Sequence, residues 1–244
     1  PKELLEAECV ISLSKMKTHA LERITGAVKN SYGFVYGKNK AIGHTKYPSA
    51  DSFARMLIDL NQYVKPRLYI MDGITAMEGN GPGSGDPVAM NLILMSTDPV
   101  ALDSVFARLV YLKPEMVPTN YHGEKMGLGT WKEEEITLLT PDGEISMAEA
   151  VKKYGNPAFN VDRTEVRKNI WTRMAGALNI FQKKPYIEAD KCVRCGICVQ
   201  SCPVPGKAVD FRKGKGKPPV YDYRKCIRCF CCQEMCPKKA IKVK

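Results

Sequence analysis

The chain has few of the residues on which hydrolases and nucleotide-dependent enzymes rely. Its 244 residues include only three histidines, His19, His44 and His122. No Ser-His-Asp order and no HExxH helix can be drawn from them. The glycines are not followed by Gly-Lys-Ser/Thr and do not match the dinucleotide fingerprint, so adenine nucleotide binding is not supported. No run of eighteen apolar residues occurs, which excludes a membrane-spanning helix. The opening Pro1-Lys2-Glu3 is not a secretory signal. Aromatics make up 8% of the chain. Those near its end (Phe211, Tyr221, Tyr223, Phe230) are not spaced like a base-stacking platform, so nucleic acid is not an expected partner.

What is present in unusual density is cysteine. Eight of the ten cysteines form two copies of one spacing, Cys192-x2-Cys195-x2-Cys198-x3-Cys202-Pro203 and Cys226-x2-Cys229-x2-Cys232-x3-Cys236-Pro237. Three cysteines at intervals of three wrap a turn of chain around one face of an iron–sulfur cubane. The fourth, after a longer gap and before proline, points away and closes the other cluster. The spacing therefore assigns Cys192, Cys195, Cys198 and Cys236 to one [4Fe–4S] cluster, and Cys202, Cys226, Cys229 and Cys232 to a second. Zinc would leave the third cysteine of each run and the trailing Cys-Pro unexplained. Disulfides are a poor alternative for such runs in an intracellular-looking chain. Cys231 breaks the spacing and reads as a buried or spare thiol. Cys9, in an apolar segment, reads as a small core residue.

The net charge of +11 is unevenly distributed. Residues 183–244 hold 16 Lys or Arg against 5 Asp or Glu, and residues 1–182 are balanced. Two oxidised clusters with their thiolates would offset about four positive charges, leaving a surplus of about seven. That surplus favours an acidic redox partner protein.

Residues 1–155 alternate strand-like and helix-like segments, which predicts an α/β domain with a parallel or mixed sheet and flanking helices. Strands are expected at Cys9–Ser14, Arg67–Met71, Asn91–Met95 and Ile136–Leu139. Helices are expected at Ala50–Val64 and, capped by Asp98, from Pro99 through Leu109. The repeated strand–loop–helix order implies a largely parallel sheet with binding loops at the strand ends. The strand this close to the start, without an initiating methionine, suggests a domain lacking its amino-terminal part. Residues 156–184 read as a connector, helical over Arg163–Phe181. Residues 185–244 read as a small α+β bacterial-ferredoxin-like domain, with a flexible hairpin tip at Lys213–Pro219.

Outside the cysteines, Lys17, His19, Lys29 and Asn30 follow a strand and could hold an anionic ligand; a solvated loop is the plainer reading. Glu78, Gly79, Asn80, Gly81, Gly83 and Gly85 follow another strand. Glycines on alternate positions let backbone approach a ligand closely, or simply make a turn. Asp103 lies on the helix capped by Asp98, with no signal of catalysis. A metal site joining the three histidines to Asp72 or Glu78 is a minor alternative.

Lys17-Thr-His19, Gly26-Ala-Val-Lys29-Asn30, Glu78-Gly-Asn-Gly-Pro82 with Ser84-Gly85, and Asp98-Pro-Val-Ala-Leu-Asp103 together resemble the domain of unknown function 362 family, over residues 8 to 244. Its members often carry a two-cluster ferredoxin module at the carboxyl end, and its domain usually has a longer amino-terminal portion. The resemblance implies that the Lys/His segment and the glycine loop form a ligand site, and supplies no reaction. The expectation is a cytoplasmic iron–sulfur electron-transfer protein feeding electrons to or from a small anionic ligand. It would be a ferredoxin-type oxidoreductase of unknown substrate, with His19 or Lys17 as proton donor. The alternative is a non-catalytic electron carrier or subunit whose α/β domain only docks a redox partner.

Overall fold

A computed structural model describes residues 2–36, 38–165 and 183–243. The chain divides into two units, residues 1–162 and 163–244. The first contains α1 (Lys2–Glu6), β1 (Ile11–His19), β2 (Arg23–Thr25), α2 (Ala27–Asn30), α3 (Lys38–Lys46), α4 (Ala50–Val64), β3 (Leu68–Glu78) and β4 (Asp86–Ser96). It continues with α5 (Pro99–Leu109), α6 (Pro118–Lys125), β5 (Leu138–Thr140), β6 (Gly143–Ile145) and α7 (Met147–Tyr154).

The main sheet has the order β2-β1-β3-β4. Only β1 and β3 run parallel; both outer pairs are antiparallel. The sheet is thus mixed, as the fold class allowed, and the largely parallel order implied by the strand–loop–helix alternation is corrected. A parallel neighbour needs a long crossover, and α2 to α4 supply one between β1 and β3, whereas β3 and β4 are joined directly as a hairpin. The strands also outrun their apolar cores. The expected Arg67–Met71 and Asn91–Met95 become eleven-residue strands, because ladder bonds continue through the polar ends up to Glu78↔Asp86.

Both expected helices form over the expected residues. Ser49 accepts from Ser52 N at the start of α4 and Ser52 returns the bond, a reciprocal cap. At α5, Asp98 accepts from Val100 N and Ala101 N, with Pro99 in the first turn. Helix α5 packs its apolar residues (Leu102, Val105, Phe106) with Met16, Tyr69, Met71 and Met90 of the sheet. A second cluster joins Val28, Phe53, Leu57, Ile58 and Val100. Asn61 ties these layers together. Its amide donates to Val28 O and Leu57 O, and its oxygen accepts from Ser31 and Tyr69 hydroxyls.

Residues 156–162, read from the sequence as the start of a connector, pack within the first unit. Gly79 N donates to Asn160 O, Asn160 N donates to Glu78 Oε2, and Arg23 Nη1 donates to Asp162 O. The helix expected over Arg163–Phe181 lies, from residue 166 on, outside the described residues.

The second unit is built from β7 (Pro185–Ile187), α8 (Ile197–Gln200), β8 (Val209–Asp210), β9 (Val220–Tyr221), α9 (Cys231–Glu234) and β10 (Ile241–Val243). Two ribbons, β7–β10 and β8–β9, are related by the internal repeat. Ile187 pairs with Ile241 as Tyr221 pairs with Val209. Glu188 N bonds Ala240 O at 2.8 Å as Asp222 N bonds Ala208 O at 2.7 Å. Three cysteines belong to its core, around Ala208, Val209 and Ile241: Cys198 and Cys232 on the short helices and Cys202 after the first of them, with the partly buried Cys226 and Cys236 packed against it.

Candidate metal centre

Each cysteine run is bent into a loop by left-handed residues. Arg194 and Gly196 have φ of 59° and 77°; their counterparts Arg228 and Phe230 have 56° and 59°. The left-handed turn at Gly196 starts α8 and that at Phe230 starts α9. Glycine adopts this conformation freely; phenylalanine does so at a cost of about 1–2 kcal/mol, offset here by burial of its ring.

The loops surround two cavities of comparable size. Cys192, Cys195, Cys198 and Cys236 line the first, with Ile187, Val193 and Ile241. Cys202, Cys226, Cys229 and Cys232 line the second, with Val209, Tyr221 and Phe230. Each cavity thus takes three cysteines from one half of the repeat and the fourth from the other half. Among the described residues, no three His, Cys, Asp or Glu side chains converge closely enough to hold a single metal ion. Four cysteines line each cavity, one of them contributed crosswise, which fits a multi-iron cluster.

Backbone donors are already aimed at the sulfurs. Ala208 N lies 3.3 Å from Cys202 Sγ, and Ala240 N lies 3.3 Å from Cys236 Sγ. Both follow a left-handed lysine, Lys207 or Lys239. In the second cavity the Tyr221 hydroxyl adds a bond of 3.1 Å to Cys232 Sγ. Burial pushes the Cys198 thiol up to about 11 and raises Cys226 and Cys232 as well. Cys229 moves the other way, because the Cys231 thiol hydrogen-bonds it; Cys231 is raised as the protonated member of that pair. The spare thiol therefore touches a candidate ligand, which the spacing did not reveal. Cys9 is exposed, correcting its reading as a core residue: it precedes the first paired residue of β1.

In the first unit the candidate ligand residues are spread along β1. Lys17 is half-buried and His19 is buried at its end. His19 Nδ1 accepts from Leu21 N and Glu22 N, which forms the turn into β2. The Asn30 amide donates to Leu13 O, roughly 20 Å along the strand from His19 at about 3.3 Å per residue. The glycine loop is the β3–β4 hairpin connection. The Thr18 hydroxyl donates to Gly79 O at 3.0 Å, and a Cβ on Gly81 would meet Thr18 O at 2.1 Å. One on Gly85 would meet Glu78 O at 2.2 Å. Close approach of the β1 backbone at Gly81, and of the hairpin's own backbone at Gly85, accounts for these glycines. Gly83 is exposed and Asn80 half-buried. The histidines do not join: His44 stacks on Phe53 and His122 Nε2 bonds Asp51. Asp72 pairs with Lys15, which holds its carboxyl below the usual range.

Two buried carboxyls carried no signal in the sequence. Asp103 reaches from α5 to accept from Ala27 N at 2.5 Å and Val28 N at 3.1 Å. Burial lifts it to about 7 against the pull of those bonds. Glu22 is fully buried, neither carboxyl oxygen has a hydrogen-bond partner among the described residues, and burial raises it well above the carboxylate range.

Comparison with known proteins follows the division into units. Residues 1–108 match the family model described as Domain of unknown function (DUF362), and residues 184–237 match that of a 4Fe-4S dicluster domain. The motifs of both halves are thus recognised in the places the sequence indicated. A curated relative, the thylakoid-associated protein sll1697 of Synechocystis sp. (strain ATCC 27184 / PCC 6803 / Kazusa), is 42% identical over 128 residues. Those residues are 52% of this chain and 40% of the relative, so the chain spans about two fifths of the length of the protein it matches. No solved structure matches the chain. No described helix is long and apolar enough to cross a membrane.

Proposed function

We propose that the chain is an electron-transfer protein whose two cysteine-lined cavities each hold one [4Fe–4S] cluster. Cys192, Cys195, Cys198 and Cys236 would hold one, and Cys202, Cys226, Cys229 and Cys232 the other. The observation that carries this reading is the lining of the cavities, four cysteines each, with one contributed crosswise. When bound, such clusters supply single-electron storage and release at low potential.

The chain's own residues prepare for that role. The Ala208 and Ala240 amides orient the crosswise sulfurs Cys202 and Cys236. The apolar residues around each cavity lower the local dielectric, so the thiolate charge is met mainly by fixed donors and nearby cations. The positive surplus of residues 183–244 favours an acidic redox partner by electrostatic steering.

For the first unit two roles remain: a site for a small anionic ligand at Lys17, His19, Lys29 and the 78–85 loop, or a scaffold that docks a partner. The structural employment of His19, Asn30, Gly79, Gly81 and Gly85 supports the scaffold. We place the protein in the cytoplasm because unpaired, cluster-type cysteines suit a reducing compartment. The relative's name and the basic module favour attachment to an anionic membrane surface as the competing location, which co-sedimentation with anionic vesicles would decide.

Cysteine replacement tests the wiring. In a chain with Cys226, Cys229 and Cys232 replaced by serine, the remaining cluster should survive Cys202→Ser and be lost with Cys236→Ser. Loss with Cys202→Ser instead would show that each run closes its own cluster and overturn the crosswise assignment.

A further inference from the structure

The repeat makes the two cavities similar, and the pair Ile187 and Tyr221 sets them apart at a ligand sulfur. Ile187 and Tyr221 occupy matching places: each pairs with the residue after the alanine whose amide faces a crosswise sulfur, and each stands five residues before the first cysteine of its run. Both line their cavities. Ile187 presents only hydrocarbon. Tyr221 presents a hydroxyl 3.1 Å from Cys232 Sγ. Its ring is held in place by stacking on Tyr223 at 5.6 Å and 13°, and the Tyr223 hydroxyl is anchored on Pro185 O at 2.9 Å. Two aromatic rings and a strand pairing therefore fix one hydrogen bond to one ligand sulfur.

We infer that Tyr221 is a potential-setting residue: its hydroxyl raises the reduction potential of the cluster held by Cys202, Cys226, Cys229 and Cys232, through a bond that Ile187 cannot make at the other cluster. The inference rests on the two-cluster reading above. Reduction adds one electron and no proton, so the charge on the cluster and its sulfurs grows by one. A donor aimed at a sulfur stabilises the more negative state more than the less negative one, as a charge-assisted bond outweighs a neutral one. The electron comes from an external low-potential donor, and the bond biases its resting place toward the cluster beside Tyr221.

The test is an EPR-monitored potentiometric titration of the anaerobically purified full chain and of Tyr221→Phe, with iron and sulfide counted on both. The expected result is equal cluster content and two midpoints in each protein, one of them lowered in the variant. At a fixed potential the reduced-to-oxidised ratio of that cluster should fall about tenfold, which is about 59 mV for a one-electron couple. ENDOR after exchange into deuterium oxide should show a coupled exchangeable deuteron in the unsubstituted protein that Tyr221→Phe lacks. Two intact clusters with unmoved midpoints, or both midpoints moved alike, would overturn the role of Tyr221 and leave the two-cluster reading standing. A count below two clusters in the unsubstituted chain would overturn both.

Discussion

Gly26→Ala isolates the contact that ties α2 to α5. A Cβ at residue 26 would lie 1.9 Å from Asp103 Oδ1 and 2.7 Å from its Cγ, with Met71 Cε at 3.0 Å. No small adjustment clears 1.9 Å, so the Asp103 carboxyl must swing away. It would abandon Ala27 N and Val28 N, both buried. Leaving a buried donor unmade costs about 1–3 kcal/mol, so two of them put the loss at about 2–6 kcal/mol. A domain's entire stability is of order 5–15 kcal/mol; one methyl group should therefore remove a large part of it. Gly33 is the control, since a Cβ there meets nothing within 4 Å. Gly33→Ala should stay within about 0.5 kcal/mol. Urea unfolding of the full chain, followed by far-UV circular dichroism at matched cluster content, measures both. A Gly26→Ala loss under about 1 kcal/mol would refute the argument that Asp103 occupies the space glycine leaves.

Further outcomes follow from other residues. Asp103 is raised from 3.8 to about 7 and Glu22 is raised too. Their stabilising contribution is complete below the unfolded pKa and is lost as pH rises through the folded one. The first unit should therefore grow less stable between about pH 4 and 7, by up to about 1.4 kcal/mol per pH unit for each proton. Glu22→Gln should flatten that slope in urea titrations at several pH values; an unchanged slope would rule Glu22 out as a contributor. Asn61→Ala strips partners from Ser31, Tyr69, Val28 and Leu57. It should cost about 3 kcal/mol or more by the same unfolding assay, since buried polar groups lose their partners. Ser49→Ala removes the cap of α4 and should cost about 1 kcal/mol.

What could be read from the sequence was whatever local chemistry dictates. Asp98-Pro99 sets the start of α5 by capping and fixed φ, and the apolar spacing of Ala50–Val64 sets α4. The cysteine runs announce their cavities because ligand spacing and loop curvature are the same constraint. Sheet direction was not legible. It depends on whether residues 79–85 turn back or cross over, and a glycine-rich loop after a strand serves either purpose. The same ambiguity covers the role of those glycines: the neighbour at Gly81 is Thr18 O, over sixty residues away in the chain. The burial of Asp103, and Glu22 altogether, escaped notice because burial of a carboxyl is a tertiary outcome with no periodic trace. Cysteine spacing aligns Ile187 with Tyr221, but that the Tyr221 hydroxyl reaches Cys232 Sγ is a tertiary outcome.

The central claim is best tested by native mass spectrometry of the anaerobically purified full chain, with iron and sulfide counted in parallel. The account predicts a mass excess of two Fe4S4 units, hence about eight irons and eight sulfides per chain. One or two zinc ions without sulfide, or a single cluster in a chain with all eight cysteines intact, would contradict it.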